Sequence, residues 1–370
     1  MLCKRFHRLM SRLRESHGDT ALKTPKGTTT PDESKRTVRS SKRMMDIAKA
    51  AGVSLVTVSR VLNHPGQVSP GTRERVQSAI ASANYVPDLV AGSLASRRSK
   101  IIGVIIPTIT NSLFADTIQG LTDVVEKADY KLVIGSSRYD LDAEANLARA
   151  FLSRRADALI LTGVTHNETT LKLLTNADIP IFEMWALTDN PIDMVVGFSN
   201  FEAASSMTRF LYEKGYRNIG FMGGLTENND RTMMREKGHL AALHDLGLPV
   251  LPERIERTVF DFRSGAQALK QLLQRCPELD AVFAASDVLA VGAVFECHRQ
   301  GWSVPGRIAI AGLDDSIIAA ELVPPLTTIR IPRYDIGVRI GEEMLSRLNG
   351  APRGQRQIDL GFTIIERAST

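Results

Sequence analysis

The sequence predicts a small all-α head followed by an α/β body built as two doubly wound parallel-sheet lobes. Residues 44–85 carry three short helical patterns with cap and stop residues, while residues 101–370 alternate apolar strand-like runs with helix-like segments. Charge divides the chain in the same place. Residues 36–100 hold eleven Lys/Arg against three Asp/Glu, residues 1–35 hold eight against four, and the remaining 27 basic and 34 acidic residues leave the body net negative within a total of +5. A basic module on an acidic body confines attraction for a polyanion to one end, the alternative being a basic surface helix with no partner.

Residues 1–40, with runs such as Lys23-Thr24-Pro25-Lys26-Gly27, offer nothing to pack and are expected to be a disordered basic leader. The head, residues 41–86, opens with a helix from Met44 to Ala51 that buries Ile47 and Ala51 and is stopped by Gly52. Ser54 is placed to cap a second helix over Leu55–Leu62, which buries Val58 and Leu62. Ser69-Pro70 reads as a cap followed by proline at the first helical position, starting a third helix to Ala83 with Val76 and Ile80 inward. Helix, glycine-containing turn and second helix make a helix-turn-helix. Residues 87–100 are the boundary: Asp88 can cap a small-residue helix that carries Leu89, Val90 and Leu94 and is too weakly apolar to stand alone.

In the body, residues 101–370, Ile101–Ile106 is a nearly continuous apolar run, as a strand covered on both faces requires. Further strands are expected at Leu132–Gly135, Ala158–Leu161, Ile179–Phe182, Ile219–Met222, Ala281–Ala284, Ile308–Ala311 and Leu360–Ile365. Helical patterns at Phe114–Ala128, Ala143–Ser153, Glu202–Lys214, Ala266–Leu273 and Val288–Arg299 lie between them. Such sheets bind ligands beyond the strand C-termini.

Several function classes are excluded. No apolar run approaches the eighteen residues of a membrane span, and no signal-peptide core follows the basic start. Cys3, Cys276 and Cys297 are far apart and outside any CxxC, the usage of a reducing cytoplasm without disulfide framework or thiolate metal site. HExxH, GxSxG and P-loop motifs are absent, so no enzyme, cofactor or metal is expected. Gly220-Phe221-Met222-Gly223-Gly224 is misspaced for a dinucleotide fingerprint and reads as a strand end that turns sharply, while His166, His239 and His298 read as isolated surface or satisfied polar residues.

The second helix of a helix-turn-helix enters the DNA major groove. Leu55 and Val56 then offer apolar contacts suited to thymine methyls, and Arg60 a bidentate pair for guanine. Thr57, Ser59 and Asn63 suit phosphates and positioning. A three-helix protein-interaction module is the alternative, disfavoured by the charge asymmetry.

The segment Asp46–Asn63, with Val68-Ser69, Tyr85-Val86-Pro87 and Leu94 in its small-residue helix, resembles the LacI/GalR family of bacterial repressors. The likeness continues through Ile102-Gly103-Val104-Ile105-Ile106-Pro107, Gly197, Asp287 with Ala290-Val291-Gly292, Ala311-Gly312-Leu313-Asp314-Asp315 and Pro325-Leu326-Thr327-Thr328-Ile329; residues 1–40 fall outside it. The resemblance implies a body like a periplasmic binding protein, in a homodimer or tetramer whose heads read a palindromic operator in double-stranded DNA. The family's recognition positions fall on Leu55, Val56 and Arg60, and its minor-groove hinge leucine on Leu94. Asp88 stands where members normally carry asparagine, so a phosphate contact there is disfavoured and a capping role remains.

The family's effector positions fall on Leu113, Phe114, Arg235, Phe260, Ser286 and Asp314. The two rings can cover a carbon chain, Asp314 can accept hydroxyl protons, and Arg235 can clamp a carboxylate or vicinal hydroxyls, with Asp287 lining the cleft or organising its loop. Ile105–Phe114, Ile179–Met184, Val196–Ala204 and Leu289–Cys297 resemble the gluconate-responsive members, although Leu313-Asp314-Asp315 is more acidic than that resemblance leads one to expect. The implied effector is gluconate or a related aldonic or keto-aldonic acid, with a neutral sugar as alternative. Induction and corepression both stay open.

Overall fold

The computed structural model describes residues 44–85, 98–110 and 112–370, and its internal contacts divide the chain into two units meeting between residues 87 and 88. The head consists of α1 (Met44–Ala51), α2 (Leu55–Asn63) and α3 (Pro70–Ala83) around buried Ile47, Ala48, Ala51, Val58, Val61 and Val76. Leu62 and Ile80, expected to be fully inside, are only partly buried at the edge of this core. Gly52, at φ +64°, takes the left-handed conformation that ends α1 without a Cβ penalty. Ser54 caps α2 by accepting from Thr57 N at 3.2 Å. Ser69 makes no side-chain capping bond to α3; its hydroxyl donates to Thr72 Oγ1 at 3.0 Å.

The body begins with β1 (Ile101–Ile106), α4 (Ala115–Val125), β2 (Lys131–Ser136), α5 (Leu141–Ser153), β3 (Ala158–Thr162), α6 (Glu168–Thr175), β4 (Ile181–Met184) and β5 (Met194–Gly197). It continues through α7 (Asn200–Glu213), β6 (Ile219–Gly224), α8 (Asp230–Asp245), β7 (Ile255–Thr258), α9 (Phe262–Arg275), β8 (Ala281–Ala284), α10 (Asp287–Gln300), β9 (Ala309–Ala311) and α11 (Ile317–Glu321). The chain closes with β10 (Thr328–Arg330), α12 (Arg333–Leu348), β11 (Gln357–Asp359) and β12 (Thr363–Ile365).

Lobe 1 is a six-stranded parallel sheet in the order β11-β5-β4-β3-β1-β2, and lobe 2 a four-stranded parallel sheet in the order β7-β6-β8-β9. An antiparallel pair, β10 with β12, forms a third small sheet. The strand order has a topological consequence: after building lobe 2 the chain returns to lobe 1 to supply α12 and β11, then crosses back so that Ser369 can donate to Ile310 O on β9. Three crossings therefore join the lobes. In lobe 1, α12 packs on α4 so closely that a Cβ at Gly337 would overlap Thr117 O, and one at Gly120 would overlap Tyr334 O. The expected sharp turn at Gly220–Gly224 is not there, because these residues are β6 itself. The last glycine instead makes room for Phe260, whose ring edge a Cβ at Gly224 would overlap.

Candidate functional site

Two sites can be assembled, one in each unit. In the head, Leu55 and Val56 are the first residues of α2 and stand 49% and 62% exposed, although both are apolar. Helical spacing explains how: Val58 and Val61 take the face toward α1 and α3, which leaves Leu55, Val56 and Arg60 on the outer side. Thr57 is half-buried and its hydroxyl is engaged with Ser54 Oγ at 2.9 Å. Ser59 is half-buried as well, and Asn63 closes the helix. The side chain of Asn63 and all of Asp88 and Leu94 lie outside the described residues.

In the body, a narrow cleft of about 20 Å³ is lined by Leu113, Phe114, Arg235, Phe260 and Ser286, five of the six effector residues named from the sequence; the sixth, Asp314, is not in its lining. Phe114 is held by Trp185, ring centroids 4.9 Å apart, and the Trp185 Nε1–H donates to Thr117 Oγ1 at 3.1 Å. Arg235, on α8, is 4% exposed; its Nε donates to Asn200 Oδ1 at 2.8 Å and its Nη1 to Ala285 O at 2.7 Å. Both acceptors are neutral, and burial presses the guanidinium pKa down while the charge of Asp314 pulls it back up.

Asp314 is 2% exposed and accepts from Ser286 Oγ at 2.8 Å on Oδ2, but Oδ1 has no hydrogen-bond partner among the described residues. Burial raises its pKa to about 7, with Arg235 lowering it and Asp287 raising it. Asp287 itself organises the adjacent loop. Its Oδ2 accepts from Ser316 N at 2.6 Å and Ser316 Oγ at 2.9 Å, and its Oδ1 from Thr328 Oγ1 at 2.6 Å. Asp315 is spent on Arg330 and Arg367, at 2.6 and 2.7 Å.

The sequence reading missed Thr108, Tyr139, Trp185, Asn229, Arg231 and Thr232, which complete the cleft. Thr108, Tyr139 and Trp185 each follow a strand of lobe 1, where ligand groups of parallel sheets gather, so their position was a usable signal. Tyr139 and Trp185, both in the cleft lining, have φ values of 62° and 72°, strained for side-chain-bearing residues.

One expectation needs correcting. His166 is not isolated: its Nδ1 lies 2.7 Å from Glu144 Oε1 and its Nε2 3.3 Å from Glu183 Oε1, with the imidazole 1% exposed. His239 is a satisfied polar residue, bonded to Thr208 Oγ1 at 2.8 Å and stacked on Phe221, and His298 is exposed.

A three-helix head with an apolar-tipped second helix and a two-lobed body with a cleft is the build of a transcriptional regulator. Residues 43–88 match the family described as bacterial regulatory proteins, lacI family, and residues 208–370 match the periplasmic binding protein-like domain. The chain is 35% identical over 321 residues to the HTH-type transcriptional regulator GntR of Escherichia coli K12, covering 87% of this chain and 96% of that protein. It is 33% identical over 325 residues to the regulator IdnR of the same organism, at 87% and 96% coverage. A crystal structure of a LacI-family regulator from Silicibacter pomeroyi superposes with a TM-score of 0.82 at 31% identity, covering 89% of this chain and 99% of that one. The chain belongs to the LacI family of bacterial transcriptional regulators.

Proposed function

We propose that the protein is a cytoplasmic repressor of sugar-acid uptake and catabolism genes, a homodimer that leaves its palindromic operator when gluconate or a related aldonic acid fills the body cleft. Leu55, Val56 and Arg60 read base edges, Thr57, Ser59 and Asn63 contact the backbone, and Leu94 enters the minor groove between the heads. No helix among the described residues is long and apolar enough to cross a membrane.

The observation that carries the acid effector is the unequal pairing of Arg235 and Asp314. Arg235 is a buried cation bonded only to an amide and a carbonyl, and it forms no ion pair among the described residues. A buried guanidinium in that state gains most from a charged acceptor. Asp314 Oδ1, which has no hydrogen-bond partner among the described residues, supplies an acceptor for a ligand hydroxyl near Arg235. Asp314 with its pKa raised to about 7 also carries less charge than the run Asp314-Asp315 suggests, and Asp315 is already neutralised by two arginines, so the cleft tolerates a single anion.

Calorimetric titration with gluconate and glucose tests the reading. Wild-type protein binds gluconate and not glucose, and Arg235→Gln loses gluconate binding by a hundredfold or more while Asp314→Asn loses less. Tight glucose binding without gluconate binding would discard the acid effector and leave the cleft as a neutral-sugar site.

A further inference from the structure

Asp230 is the first residue of α8, in lobe 2, yet its carboxylate is bonded to the backbone of lobe 1. Oδ2 accepts from Val164 N, two residues past β3, at 2.8 Å. Oδ1 accepts from Arg231 Nη1 at 2.8 Å, and the two side chains are only 6% and 8% exposed. Lobe 1 is shaped to receive the pair. Gly163, at φ +92°, has no room for a Cβ, which would overlap Arg231 Nη1. Val164 sits in a segment held from below by His166, tied to Glu144 on α5 and Glu183 on β4. Further along α8 stands Arg235, so one helix carries both the effector cation and this cross-lobe bond.

We propose that Asp230 is the closure latch of the cleft, the positioning residue through which ligand occupancy is converted into a joined state of the two lobes. This rests on the reading of the cleft as the effector site. The bond from Val164 exists only when the lobes are together. When they part, the Val164 amide turns to water and the carboxylate keeps Arg231 alone. A bond made only in the joined state stabilises that state, so it adds to whatever preference a ligand gripped by both lobes has for it. Arg231 holds the carboxylate in place, and Gly163 lets the pair approach.

The test uses the full-length protein with potassium gluconate and a duplex selected by the protein from random DNA. Hydrogen exchange at the Val164 amide, gluconate binding and release of the duplex are measured in wild type, Asp230→Ala and Asp230→Asn. Gluconate is expected to slow Val164 exchange at least tenfold in wild type. Asp230→Ala should bind gluconate within tenfold of wild type, yet show no slowing and release the duplex at least tenfold less at saturation. Asp230→Asn, whose amide oxygen can still accept from Val164, should recover most of the release. Wild-type release or wild-type slowing in Asp230→Ala overturns the latch. So does complete loss of gluconate binding in that variant, which would make Asp230 a ligand-contacting group. If wild-type protein binds no gluconate, the effector reading fails separately. Ligand-free Val164 exchange then decides the latch: faster in Asp230→Ala than in wild type supports it, and equal rates overturn it.

Discussion

His166 shows how a single side chain can carry pH dependence without facing solvent. Burial alone would lower its pKa, but hydrogen bonds to Glu144 and Glu183 and their charges outweigh burial and push it to about 9. The folded protein therefore holds this proton more tightly than the unfolded chain, whose histidine titrates near 6.5. The resulting stability is fully present below about pH 6.5 and is lost as pH rises through about 9, a difference on the order of 3 kcal/mol. Thermal melts between pH 6 and 9.5 should show this fall, and His166→Gln should flatten it. An unchanged slope in the variant would mean that His166 is neutral in the folded state. The sequence could not announce the triad, since Glu144, His166 and Glu183 meet only through the fold. Arg235 and Asp314, by contrast, were named from the family likeness and do lie together.

At the scale of elements, α2 separates two roles that adjoining residues could blur. Ser54 caps the helix, and Arg60 projects from its exposed side. Ser54→Ala should cost the head about 1 kcal/mol of stability and weaken all DNA binding alike. Arg60→Ala should leave stability unaltered, cost about 1–3 kcal/mol on the selected site, and relax preference at one G·C pair. Binding measured on specific and scrambled duplexes separates the two; a uniform loss for Arg60→Ala would place it on phosphate.

The bounds of α1 and α3 were legible because Gly52 stops the first and Pro70 opens the third, whatever the side chain of Ser69 does. Two long helices were not. In α8 the buried residues include Asp230, Arg231, Thr232, Arg235, Glu236 and His239, so the inward face is polar and gives no apolar stripe. In α12 two of the five buried residues are Gly337 and Gly341, chosen for close approach to α4 rather than for hydrophobicity. The strands β5, β7, β10 and β11 are three or four residues long, too short for alternation to register.

On the scale of the molecule, both lobes expose apolar residues that their own cores leave uncovered. Val133 and Ile134 lie on β2, at the edge of the six-stranded sheet, and are 43% and 44% exposed. On the other lobe Ile317 at the start of α11 is 90% exposed and Val323 just beyond it 75%. A second copy covering both patches accords with the two half-sites that one short recognition helix needs for useful discrimination. Sedimentation should find two chains per selected duplex, and Ile134→Lys with Ile317→Lys should yield a monomer with weakened specific binding. One wild-type chain bound at full affinity would remove the dimer. The two-lobe architecture was readable from alternating segments, whereas the return of the chain to lobe 1 was not, because strand order leaves no periodic mark.

That return also governs how the molecule comes off the ribosome. Lobe 1 starts first but waits for α12 and β11, so α4 has an uncovered face along Thr117, Gly120 and Leu121 until residue 348 has been made, and β5 a bare edge until residue 359. At bacterial translation speeds the interval from Gly197 onward lasts on the order of ten seconds, long enough for unpaired strand edges to find wrong partners. Lobe 2 has its four strands in hand well before then, so the sheet begun second is completed first, and the nascent chain offers a chaperone its longest hold on the sheet that was begun first.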